Sequence, residues 1–108
     1  VRSKSEALIT RLLYTNHIPF RYECALTLGN ATIYPDFTIL KVSSRKEVYL
    51  EHLGMMDNQS YYENAMQKID IYEKNGYLLG DSLLIFHETS TMPLNIKIVR
   101  KYIEQYLV

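Results

Sequence analysis

Apolar and polar positions along the chain follow two different periods, and the places where the period changes mark the elements. Over residues 3–16, Leu8, Ile9, Leu12 and Leu13 recur at helical spacing and form one apolar stripe. Ser3 and Glu6 stand at the S-x-x-E spacing of a capping box, in which each side chain satisfies the other residue's backbone N–H. Asn16-His17 and then Pro19 end that helix. Residues 18–24 (IPFRYEC) and 31–40 (ATIYPDFTIL) are rich in aromatic and β-branched residues and predict two strands joined by a hairpin turn at 28–30 (LGN). VSSRK (42–46) turns the chain into a third strand, EVYLEHL (47–53). After a loop at 54–58, a second helix runs to Lys74, with Tyr62, Ala65, Met66, Ile69 and Tyr72 at core spacing and Asn75-Gly76 closing it. SLLIFHE (82–88) is nearly unbroken in its apolar character and predicts a strand buried on both faces. STMP (90–93) ends it, and 94–107 form a last helix carrying Leu94, Ile98, Tyr102, Ile103, Tyr106 and Leu107. The order α-β-β-β-α-β-α predicts an α/β domain in which a central mixed sheet is flanked by helices.

One residue breaks this pattern. YPDFTIL (34–40) places Asp36 inside a predicted strand, where a carboxylate is costly to bury unless something compensates its charge. Residues two apart on a strand share a face, so Asp36 lies with Tyr34, Thr38 and Leu40, and Glu51 lies with Glu47, Tyr49 and Leu53. If these strands pair through the 41–46 turn, Asp36 and Glu51 approach one another on one face, while His52 points to the other. Glu6 sits on a helical wheel at the edge of the first helix's apolar stripe, about 90° from its centre, and can reach over the rim of the sheet. Three carboxylates from three elements, with no Cys or His cluster, describe an oxygen site for a hard cation such as Mg²⁺ or Mn²⁺.

The 108 residues suffice for one domain with a core and are too few for two, so 1–108 reads as a single domain. It begins at Val1, and the expectation is a fragment of a longer protein, with further domains of that protein or a second copy in a homodimer as partners. Twelve basic residues balance twelve acidic ones, so no long-range field draws the chain to nucleic acid, and DNA contact rests on local basic groups. Lys4 and Arg11 share one face of the first helix and are the candidates. Cys24 is the single cysteine, which excludes an internal disulfide and fits a reducing, cytoplasmic setting. No apolar run has membrane-spanning length, so no membrane is expected.

YPDFTIL, followed after a gap of 14 residues from Asp36 by Glu51 in YLEHLG, resembles the PD-(D/E)XK nuclease superfamily, the restriction-endonuclease-like fold. The element order is similar to that superfamily's core, and the resemblance covers essentially the whole chain. It implies a metal-dependent nuclease domain that hydrolyses phosphodiester bonds of DNA. Asp36 and Glu51 would hold Mg²⁺, the main-chain carbonyl of His52 would complete the site, and Glu6 would match the glutamate that such families carry on the first helix. Gly54 matches a glycine that often follows the motif. At the motif's lysine position stands Leu53, which can neither orient a water nor offset charge on a phosphate. Related families carry the cation on the following helix, where Lys68 lies on the flank with Tyr61 and Tyr72, and Lys74 projects from the opposite side. The alternative that Leu53 raises is a catalytically weakened domain of the same fold that binds nucleic acid or a protein partner.

Plainer readings stand beside these. The capping box alone accounts for Glu6, and a turn or a bond to Thr38 would account for Asp36. His17, His52, His87 and Cys24 match no zinc-ligand spacing. The ten tyrosines fit strand and core packing better than base stacking.

Overall fold

The computed structural model describes residues 3–108. Helix α1 (Lys4–Thr15) is followed by strands β1 (Phe20–Tyr22), β2 (Leu26–Leu28), β3 (Ala31–Ile33), β4 (Phe37–Lys41) and β5 (Lys46–Leu53). Helix α2 (Gln59–Lys74), strand β6 (Leu83–His87) and helix α3 (Ile96–Tyr102) complete the chain, and α3 runs on into a π-helical turn (Ile103–Leu107). The domain is α/β, with a four-stranded mixed sheet in the order β1-β4-β5-β6. β1, β4 and β5 pair antiparallel, whereas β5 and β6 pair parallel through the α2 crossover. None of the described helices is long and apolar enough to cross a membrane.

The strand expected over 31–40 is two strands. Ala31–Ile33 pairs with Leu26–Leu28 in a separate two-stranded ribbon, closed by the expected LGN turn with Gly29 at φ +61°. Phe37–Lys41 belongs to the main sheet. Pro35 explains the break, because it offers no N–H to a ladder. Asp36 therefore stands just ahead of β4 rather than inside a strand.

Strand alternation divides the sheet between two apolar layers. Phe37 and Ile39 of β4, Val48 and Leu50 of β5, and Leu84 and Phe86 of β6 pack against Ile9, Leu12 and Leu13 of α1, Val99 of α3, and Ile103 and Leu107 of the π-helical turn. On the other face, Tyr49 and Leu83 meet Tyr72 of α2 and Leu28 and Ile33 of the ribbon. The crossover helix α2 thus covers one face, and α1 and α3 cover the other.

The face that α2 presents inward departs from its expected stripe. Tyr62 is exposed, while Ala65 and Tyr72 are buried, and Tyr61 and Lys68 lie with them along i, i+4, i+7, i+11. The helix is rotated so that residues with polar tips point at the sheet. The reason lies in β5, where Glu51 is buried on this face and needs partners.

Candidate functional site

Continuing the β4–β5 register (Phe37 opposite Leu50, Thr38 opposite Tyr49) by one residue sets position 36 across from position 51. β4 stops at Phe37 while β5 continues to Leu53 beside β6, so the backbone of β5 beyond Leu50 is left without a β4 partner. The Asp36 carboxylate fills that gap by accepting the His52 N–H at Oδ2, 2.8 Å.

Glu51 is 2 % exposed, and both of its oxygens are engaged from α2. Lys68 Nζ donates to Oε1 at 2.8 Å, and the Tyr72 hydroxyl donates to Oε2 at 2.6 Å. Lys68 also donates to the Tyr34 carbonyl at 2.9 Å, tying α2 to the chain that leads into Asp36. Burial pushes the Glu51 carboxyl up to about 7; Lys68 pulls it down, the Asp36 charge adds to the rise, and burial prevails. Burial, reinforced by the Glu51 charge, holds the Tyr72 hydroxyl strongly protonated.

Tyr61 stands between these groups. Its hydroxyl accepts the Gly54 N–H at 3.0 Å and lies 3.5 Å from the His52 carbonyl. Burial raises its pKa, the Gly54 N–H opposes the rise, and the charges of Asp36, Glu51 and Glu6 add to it. Two adjoining clefts meet at Asp36, His52 and Tyr61. One, of about 280 Å³, is lined also by Glu51, Leu53, Asn64, Ala65 and Lys68. The other, of about 500 Å³, runs toward the start of α1 past Ser3, Lys4, Ser5 and Glu6 and on to Gly54, Met55 and Glu88. An apolar cavity of about 340 Å³ beside β6 and α3 lies away from the Asp36–Glu51 pair.

The expected site residues fall as follows. Asp36, Glu51 and Lys68 come together, and the His52 backbone joins them through its N–H. Glu6 lines the larger cleft with Asp36 but is engaged in the capping box, its Oε1 3.3 Å from the Ser3 nitrogen, while the Glu6 N–H donates to Ser3 Oγ at 3.1 Å. Lys4 lines the same cleft; Arg11 is exposed on α1 and lines neither. Lys74 is exposed and paired with Asp70 on its own helix. Leu53 is buried on the α2 face, at the wall of the smaller cleft.

Sequence reasoning missed Glu88. The His52 imidazole, on the α1 face as alternation predicts, has Nε2 2.6 Å from Glu88 Oε1. Ser5 Oγ donates to the same oxygen at 2.6 Å, and the Leu94 N–H reaches Oε2 at 3.3 Å. Burial works to raise the Glu88 pKa, but the bonds from Ser5 and His52 outweigh it and hold the carboxyl below its ordinary value. Gly54 packs on the same imidazole, where an added Cβ would stand 3.1 Å from Cε1. The available signal was alternation: in parallel register His52 stands beside Phe86, and Glu88 follows two residues later on that face.

Among the described residues no group of three or more His, Cys, Asp or Glu side chains is placed to hold a metal ion. What the clefts offer is a pair of carboxylates, Asp36 and Glu51, with main-chain carbonyls of Tyr34 and His52 nearby. That donor set is all hard oxygen and suits Mg²⁺, which binds through one or two carboxylates and keeps several waters. No family model, curated protein or solved structure matches the chain.

Proposed function

We propose that the chain is a Mg²⁺-dependent nuclease domain of the PD-(D/E)XK type, restriction-endonuclease-like in fold, which hydrolyses phosphodiester bonds of DNA. The observation that carries this reading is Lys68 Nζ at 2.8 Å from Glu51 in the cleft that Asp36 also lines. It supplies from α2 the cation that Leu53 lacks. Asp36, Glu51 and the His52 carbonyl would hold Mg²⁺ (or Mn²⁺), which when bound lowers the pKa of a water and offsets phosphate charge. Asp36 is oriented by the His52 N–H, and Glu51 by Tyr72. Lys68 balances the charge that develops on the phosphate oxygens. Lys4, on the larger cleft, and Arg11, further along α1, are the proposed contacts for flanking phosphates.

The test is cleavage of plasmid and single-stranded DNA with and without Mg²⁺. The expected result is Mg²⁺-dependent cutting that falls about a hundredfold or more in Asp36→Asn. Cutting that survives Asp36→Asn removes the proposal. A second reading, a weakened nuclease-like domain that binds nucleic acid or a protein partner without cutting, is favoured by Leu53 and by the engagement of both Glu51 oxygens. It is selected if DNA stays intact while Mn²⁺ binding remains sensitive to Asp36→Asn.

A further inference from the structure

The Lys68 ammonium sits where an oxygen of β5 and one from the segment leading into β4 converge. Nζ is 2.8 Å from Glu51 Oε1 on β5 and 2.9 Å from the Tyr34 carbonyl, two residues before Asp36. Its side chain is only about a quarter exposed, and it lines the cleft together with both carboxylates. The long alkyl stem lets a helix residue deliver a compact, strongly hydrated point charge into that oxygen cluster. Tyr72 fixes the other Glu51 oxygen from one turn further along α2, so the carboxylate is held facing the ammonium.

We propose that Lys68 is a tethered cation that stands in for the divalent metal on Glu51, and that metal loading and the Lys68–Glu51 bond exclude one another. The proposal rests on the reading of Asp36 and Glu51 as the metal-holding pair. A carboxylate oxygen has lone pairs for two partners, so the exclusion is electrostatic rather than steric. Two carboxylates and one ammonium leave a single net negative charge, against two when the ammonium withdraws. A dication and an ammonium sharing one oxygen in a poorly solvated cleft repel by much more than thermal energy. Lys68 therefore leaves Glu51 when the metal is held, and its ammonium becomes free to meet a phosphate. The same side chain thus halves the charge of the metal-free pair and becomes available to substrate only in the loaded state. Metal affinity and catalytic competence then respond to Lys68 with opposite signs.

The experiment is calorimetric titration with Mn²⁺ above pH 8, comparing the wild type with Lys68→Gln, Lys68→Arg and Asp36→Asn. Lys68→Gln keeps a hydrogen-bond donor for Glu51 without the charge, and Mn²⁺ is expected to bind it about tenfold or more tightly than the wild type. Lys68→Arg keeps the charge and is expected to stay within a few-fold of the wild type. Equal or weaker binding by Lys68→Gln overturns the proposal, as does equal tightening by Lys68→Arg. Should Lys68→Gln fold poorly alone, its melting temperature with and without Mn²⁺ replaces the titration. A larger Mn²⁺-induced rise than in the wild type supports the proposal, and an equal or smaller one defeats it. DNA cleavage assayed in parallel separates this inference from the reading beneath it. Tighter Mn²⁺ binding by Lys68→Gln with no cutting by any form leaves the inference standing and the nuclease reading fallen. Cutting that depends on Asp36, without tighter binding, does the reverse.

Discussion

At the Glu51 carboxyl, burial competes with a lysine and a tyrosine and sets the proton affinity near neutrality. Because the folded-state pKa is raised from 4.5 to about 7, the folded protein holds a proton that the unfolded chain has already released across that window. The Glu51 contribution to stability is therefore most favourable below pH 4.5, declines as pH rises toward 7, and is level above it. Relative to Glu51→Gln, the metal-free wild type is expected to lose up to about 3 kcal/mol of stability between pH 4.5 and 8, as measured by urea unfolding. A constant difference between the two proteins across that range would show that Glu51 stays ionised. The Asp36–Glu51 pairing was legible before the structure because antiparallel register is additive, and a short turn leaves few choices. Lys68 was legible as a flank residue, but that the flank faces the sheet was not, since the wheel ranks hydrophobicity and cannot weigh a buried carboxylate's demand for partners.

Elements were legible where periodicity and end signals agree. The α1 capping box forms, and Asn58 caps α2 by accepting the Tyr61 N–H at 3.0 Å. Removing one of these signals has a calculable effect: Ser3→Ala is expected to cost about 1 kcal/mol by urea unfolding. It is also expected to leave Mn²⁺ affinity unchanged, because Asp36 and Glu51 are held from β5 and α2. A change in affinity would mean that the start of α1, and Glu6 with it, takes part in holding the metal. The ribbon of β2 and β3 was not legible, because residues 18–33 contain three short extended pieces and periodicity does not say which partner each one takes. Tyr34-Pro35 carried the decisive information, but a proline read as a motif member concealed its ordinary effect of ending a strand. The last helix was anticipated as one run, and its π-helical end keeps Ile103 and Leu107 both fully buried. Four-residue spacing predicts the shared face but not the change of hydrogen-bond pattern beneath it.

Across the whole molecule, β5 carries adjacent polar residues to opposite faces, and each face gives its residue a different partner. Glu51 is met by α2, and His52 by Glu88, which also binds Ser5 of α1 and the Leu94 N–H ahead of α3. Glu88 thereby ties three parts of the chain that are far apart in sequence, which is why no local pattern announced it. His52 is buried, so Glu88→Ala would strip it and Ser5 of an acceptor at a cost of about 2–3 kcal/mol, while Glu88→Gln keeps an acceptor oxygen and loses less. The two carboxylates also respond to pH in opposite senses. Glu88 has a depressed pKa in the fold, so its contribution is present above its ordinary value of 4.5 and is lost as pH falls through the folded-state value. Glu51 contributes most on the acid side and less toward neutrality. Stability of the metal-free wild type is therefore expected to pass through a maximum on the acid side of neutrality. Glu88→Gln should flatten the limb below that maximum and Glu51→Gln the limb above it, read from denaturant midpoints across pH. A wild-type profile that climbs steadily to pH 8, or a Glu51→Gln profile with the neutral limb intact, would show that the two faces do not titrate as this arrangement requires.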